Sequence, residues 1–131
     1  MTKTQLKEVR KLNKEIESLK RNRERLFYSV LGTSTKLNDI KVQSSIGGDK
    51  FGDTVAGLAD LDKQILDSIN HLIRLQAQAL DEINKLSKSE YRTILIEYYL
   101  NGCDWEEVAS AVGYSVQHTL KLHGEALEEI I

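Results

Sequence analysis

The sequence predicts an all-α protein, a long antiparallel helical hairpin of coiled-coil character followed by a C-terminal helix-turn-helix module. Three observations carry this. The 131 residues include no proline, so nothing in the chain forbids long helices. Two long stretches place apolar residues at steps of three and four, the spacing of a helix face. The segment 87–131 is punctuated by paired cap and stop signals that cut it into short helices.

The first helix is marked by Val9, Leu12, Ile16, Leu19, Leu26 and Val30, with Arg23 filling one seam position. That is three heptads, and the cation in the seam weakens packing but can fix register, or can snorkel to an edge. The stretch 32–53 (GTSTKLNDIKVQSSIGGDKFGD) is rich in Gly, Ser, Thr and Asp and has no helical period. It reads as a flexible linker, with a short strand at 40–42 as the one local alternative. A second long helix follows over 54–86. Val55, Leu58, Ile65, Ile69, Leu72, Ala79, Ile83 and Leu86 form its seam, and Leu61, Leu66, Ile73 and Leu80 widen it. A face that wide asks for more than one neighbour. The first helix folding back supplies one, and a second copy of the chain the other. Residues 1–86 therefore read as a hairpin and dimerisation region.

The segment 87–131 reads as a module of its own. Ser87 and Glu90 have capping-box spacing ahead of a helix over 90–100, and Gly102 stands where that helix should stop. Asp104 and Glu107 form a second capping box, for a short helix over 105–112. Gly113 supplies a left-handed turn, and Ser115 caps the last helix. Ala109 is small where the two helices approach. Val108, Val112, Tyr114 and Leu122 are expected to face inward with Thr119. Rotating the last helix at about 100° per residue puts Val116, Thr119, Leu122, His123, Ala126, Leu127 and Ile130 on one side. Gln117, His118, Lys121, Glu125 and Glu128 fall on the other. His123 thus reads as a packed structural histidine.

Composition narrows the function classes. No run of about 18 apolar residues exists, and the N-terminus lacks the apolar stretch of a signal peptide. The single Cys103 cannot form an internal disulfide. A cytoplasmic protein without membrane attachment is expected. The net charge of −2 hides an asymmetry: residues 1–25 carry +5 and residues 87–131 carry −5. An enzyme is not expected. Cys103 has no histidine at motif spacing, and His118 and His123 are about 140° apart round their helix, so they cannot share a metal. "GGDKFGD" lacks the GK[ST] of a phosphate loop. Neither a cofactor, a metal nor a small-molecule substrate is expected.

A helix-turn-helix reads bases from the N-terminal part of its second helix. Ser115, Gln117, His118 and Lys121 occupy that position, with Gln suited to adenine and Lys to guanine or phosphate. Further cations would come from Lys88, Arg92 and the arm around Lys20 to Arg25, because phosphate neutralisation drives affinity. The acidic balance of 87–131 leaves open that the module reads protein instead.

The stretch YRTILIEYYLNGCDWEEVASAVGYSVQHTLKLHGEAL resembles the C-terminal module of phage late-gene transcriptional activators of the RinA and ArpU type. It also resembles the sigma-factor-like phage proteins found beside them. The features that carry this are Tyr98–Tyr99, Gly102, Trp105, Val108–Ala109, Gly113–Tyr114–Ser115, Leu122–His123 and Ala126–Leu127. The upstream order is similar too, a Lys/Arg-rich helix, a linker and a second long helix. The resemblance implies a helix-turn-helix related to the sigma region that reads the −35 promoter element. It implies double-stranded DNA as partner and transcription activation as function, and leaves direct contact with RNA polymerase open. Two readings stand beside it: a phage small terminase subunit, although those place the DNA-binding unit first, and a protein-interaction scaffold without DNA binding.

Overall fold

The computed structural model describes the backbone of residues 3–39 and 44–130, and the side chains of 3–31 and 52–130. Among these residues every regular element is a helix and none is a strand: α1 is Lys3–Asp39, α2 Ser44–Ile83, α3 Ser89–Leu95, α4 Trp105–Val112 and α5 Val116–Ile130. A π-helical turn, Ile96–Leu100, continues α3. Among the described residues no helix is long and apolar enough to cross a membrane.

The linker expected over 32–53 is largely replaced by helix, since α1 continues to Asp39 and α2 already begins at Ser44. The physical reason is that extending an existing helix gains a hydrogen bond for each residue fixed, and no proline interrupts the stretch. The alternative strand at 40–42 lies outside the described residues.

Contacts divide the chain into two compact units, residues 16–69 and residues 1–15 with 70–131. The division expected at 86/87 falls inside the second of these. In the first unit Ile16, Val30 and Ile65 are buried, as the seam requires, and Leu19, Leu26, Leu58 and Ile69 are half-buried. Val55, placed in the seam by spacing, is exposed. Arg23 takes its seam position by pairing with Asp62, Nε donating to Oδ1 at 2.8 Å and Nη2 to Oδ2 at 3.3 Å. The pair is exposed on both sides, so it selects a register more than it adds stability. Asp62 is held below the usual carboxylate range by the Arg23 hydrogen bond.

In the second unit α3, α4 and α5 pack on one another around Ile94, Leu95, Val108, Leu122 and Ala126. Leu6 and Val9 of α1 and Ala79 and Ile83 of α2 are fully buried in the same unit. The α3–π segment ends with carbonyls that no following turn can satisfy, and side chains from the long helices take them. Arg10 Nη1 donates to the carbonyls of Tyr98 and Cys103, while its guanidinium lies 3.8 Å from the Tyr98 ring centroid. Asn13 and Gln76 both donate to the Leu100 carbonyl, at 3.2 and 3.0 Å, and Lys14 Nζ to that of Gly102 at 2.8 Å. Positive charge at a helix C-terminus also opposes the negative end of its dipole. Gly102 is needed for its backbone conformation. Its φ is +73°, and a Cβ there would sit 2.9 Å from the Asn13 amide.

The two capping boxes fare differently. Asp104 and Glu107 form theirs: Glu107 N–H donates to Asp104 Oδ1 at 2.8 Å and Asp104 N–H to Glu107 Oε1 at 3.3 Å. The one expected at Ser87 and Glu90 does not form. The helix starts at Ser89 with Lys88 as N-cap and no side-chain cap. Ser87 N–H is instead taken by Glu129 Oε1 at 2.7 Å, which ties the end of α5 to the start of α3. Tyr91 hydroxyl donates to Glu125 Oε2 at 2.8 Å on the same seam. The carbonyls that follow the first helix of segment 87–131 are met by donors on α1 and α2.

Arg10→Ala should remove two charge-assisted hydrogen bonds and the ring contact and cost about 2–4 kcal/mol. Arg21→Ala, whose guanidinium donates to Ser18 Oγ at the surface, should stay within about 0.5 kcal/mol. Urea unfolding midpoints at unchanged m-value are the measurement, and equal midpoints would rule out the cap as a stabilising element.

Candidate nucleic-acid interface

The surface singled out by sequence is built by the α4–α5 turn. Gly113 has φ +78° and ψ +28°, and both its N–H and that of Tyr114 donate to the Ala109 carbonyl, at 2.9 and 3.2 Å. This closes α4 with the left-handed glycine that such an ending favours. Ser115 then opens α5: its Oγ accepts from His118 N–H at 3.1 Å, and its carbonyl accepts from Thr119 N–H and Oγ1. Thr119 is wholly buried because its hydroxyl is satisfied within the first turn.

With Thr119 and Leu122 turned inward, Ser115, Gln117, His118 and Lys121 line one shallow groove of about 460 Å³. All four are exposed. Lys88 and Arg92 do not line it. Lys88 lies over the Tyr91 ring at 5.3 Å, and Arg92 Nη1 donates to the Leu86 carbonyl at 2.7 Å, in the turn that follows α2.

Three apolar positions expected to face inward differ. Tyr114 and Val116 are exposed, at 42% and 36%, and Val112 is half-buried. The left-handed Gly113 turns the chain just before Tyr114 and Val116, and Tyr114 packs edge-on against His118 at 4.7 Å instead. Leu120 is exposed as well. The groove is thus flanked by apolar side chains, of which Tyr114 and Val116 were expected in a core.

A second concavity lies in the same unit and was not anticipated. It has a volume of about 530 Å³, with Lys3, Lys7, Lys11 and Lys14 of α1 on one side and Tyr98, Trp105 and His123 on the other. Tyr98 stacks on Trp105, centroids 3.9 Å apart and planes 15° apart. Tyr99 hydroxyl and His123 Nε2 are hydrogen-bonded at 2.7 Å. Burial, then the nearby Lys3 and Lys7, lower the His123 pKa to about 4, and burial pushes Tyr99 up to about 12. Both are neutral at pH 7. His123 is therefore packed, as its apolar-face position suggests, but one side of it is open to this groove. The sequence signal that could have located the groove is the row Lys3, Lys7 and Lys11, one helical turn apart.

Cys103 is not poised as a nucleophile. Its Sγ donates to Glu97 at 3.3 Å, and burial followed by Glu97 pushes the thiol up to about 11, so it is protonated at neutral pH.

No known protein family, curated protein or solved structure matches this chain.

His123 generates a pH prediction. Its pKa is about 4 folded against an ordinary value of 6.5, so between these values the unfolded chain holds the extra proton. Stability is whole above about pH 6.5 and falls as the pH drops through that window. Asp104 and Glu129, both held below the usual carboxylate range by backbone N–H groups, contribute only at its lower edge. The urea midpoint should fall from pH 7 to pH 5 in the natural protein and stay nearly flat in His123→Gln. Equal slopes would mean the imidazole ionises freely in the fold.

Proposed function

We propose that this protein is a sequence-specific double-stranded DNA-binding transcription regulator of the phage late-gene activator kind. In this reading α4, Gly113 and α5 act as the helix-turn-helix. The observation that carries it is the capped start of α5, which presents Ser115, Gln117, His118 and Lys121 in one exposed groove while Thr119 and Leu122 bind the helix to its own core. An α5 laid in the major groove would bring Gln117 and Lys121 to base edges. Val116 and Leu120 would offer apolar contact to thymine methyls. Lys88 has its ammonium at the surface for a phosphate, whereas Arg92 would act through the corner it closes. RNA polymerase is the further partner that activation would require, and the role is binding, without catalysis.

The acidic balance of 87–131 is less of an obstacle than it looks. Glu97, Asp104, Glu107, Glu125 and Glu129 each have a hydrogen-bond partner inside the fold. None of them lines the α5 groove.

We further propose that α1 returns along α2 as an antiparallel hairpin, which the Arg23–Asp62 pair supports, and that α2 pairs with a second copy. Leu66, Ile73 and Leu80 are seven residues apart along α2 and 58%, 58% and 39% exposed. A heptad stripe left uncovered is the pattern of a helix–helix seam. A protein-interaction scaffold is the second reading, favoured by the exposed Tyr114, Val116 and Leu120 beside the groove.

Selection of DNA fragments from the encoding genome by the purified protein should yield a defined site. Gln117→Ala and Lys121→Ala should each weaken binding to it by about 1–3 kcal/mol with the fold intact. If Lys121 holds a phosphate, its loss lowers the salt slope by about one for every sequence. A protein that selects no fragment, or variants with unchanged footprints, would leave the scaffold reading.

Sedimentation at about 100 μM should give a dimer, and Ile73→Asp a folded monomer, because that side chain already faces solvent in the single chain and the charge is placed only in the seam between copies. A ring of eight or more subunits would point to the terminase reading instead.

A further inference from the structure

The groove between the start of α1 and the Tyr98–Trp105 stack has no part in the reading above. Its chemistry is distinctive. Lys3, Lys7 and Lys11 stand at four-residue steps, which puts them on one face of α1 with about 6 Å of rise between neighbours. Among the described residues none of these three has an ion-pair partner. No carboxylate lines the groove. Arg10 and Lys14, by contrast, are spent on backbone carbonyls. Three lysines in a row with no counter-charge form an anion track longer than a single phosphate.

The opposite wall is aromatic and rigid. Tyr98 is held between the Arg10 guanidinium, 3.8 Å from its centroid, and the Trp105 ring at 3.9 Å. His123 meets Trp105 at 4.7 Å in an edge arrangement. Trp105 stays half-buried on this wall. A volume of about 530 Å³ lies within the range of small-ligand sites.

We propose that this groove binds a short stretch of single-stranded nucleic acid, with successive phosphates along Lys3, Lys7 and Lys11 and an unstacked base against Trp105. A cationic track beside an aromatic wall is the arrangement by which single strands are held without sequence readout. A duplex keeps its base faces stacked and offers the aromatic wall nothing. The shared ligand chemistry is a run of phosphodiesters with an accessible base, from a DNA or an RNA strand. The inference is independent of the α5 groove, since it uses none of its residues.

Trp105 is the only tryptophan, so its fluorescence reports this wall alone. The full chain is titrated with oligothymidylate and with oligouridylate of about ten nucleotides, with a duplex of the same length, and with inorganic tripolyphosphate. Both single strands should quench Trp105 saturably, and the tighter of the two identifies the strand. The salt slope should be about −2, for three phosphates at roughly −0.7 each. Lys7→Gln with Lys11→Gln, both exposed, should keep the circular dichroism spectrum, weaken strand binding at least tenfold and bring the slope to about −0.7. Gln117→Ala and Lys121→Ala should leave strand binding unchanged even where they abolish duplex recognition, so failure of one reading is distinguishable from failure of the other. Absence of quenching at about 1 mM strand would overturn the proposal. So would tripolyphosphate or duplex acting as strongly as the single strands, or the double lysine variant binding like the natural protein.

Discussion

The carbonyls at the end of the α3–π segment set the terms for much of the unit that contains them. A helix end leaves acceptors open, and a buried acceptor without a donor costs about 1–3 kcal/mol. The backbone supplies two late bonds, from Asn101 N–H to the Ile96 carbonyl and from Cys103 N–H to that of Glu97. The carbonyls of Tyr98, Leu100, Gly102 and Cys103 are met by Arg10, Asn13, Lys14 and Gln76. The π-helical widening at Ile96–Leu100 accompanies this arrangement, a local departure that often marks a place where backbone groups bond outside their own helix. Because these donors come from α1 and α2, the end of the α3–π segment is tied to both long helices.

This constraint divides the cations of the N-terminal stretch into two kinds. Arg10 and Lys14 sit with their heads on carbonyls, and Arg10 also steadies Tyr98 and through it Trp105. Lys3, Lys7 and Lys11 are left to face a groove without a carboxylate. A net charge of +5 on residues 1–25 looks like one electrostatic arm, yet its members do different physical jobs within a single helical face.

The acids are divided in the same way. Asp104 and Glu107 cap α4, Glu125 accepts from Tyr91 and Glu129 from the Ser87 backbone. Each lies where a donor needs a partner, and the surface of α5 from Ser115 to Lys121 is left without an acid. Local charge at a site is set by where the side chains end, which a sum over residues does not report.

The sequence by itself determined the helical class, the start and stop of α4 and α5, and the polar face of α5. Those features depend on groups a few residues apart: the Asp104–Glu107 box, the left-handed Gly102 and Gly113, the Ser115 cap, and the 100° spacing that separates Gln117 and Lys121 from Thr119 and Leu122. The seam residues Ile16, Val30, Ile65, Leu72 and Ile83 were legible for the same reason, since periodicity is local. Tertiary structure decided what local rules cannot reach. Glu129 outcompeted the Ser87 capping box, Gly113 turned Tyr114 and Val116 outward, and the helices ran into the segment whose composition suggests a linker. The lysine–aromatic groove joins residues about ninety positions apart in the chain, so the spacing of Lys3, Lys7 and Lys11 marks one wall and no local pattern marks the other. Only packing brings α1 beside Trp105, and the hydrogen bonds from Arg10 and Lys14 to distant carbonyls are what hold it there.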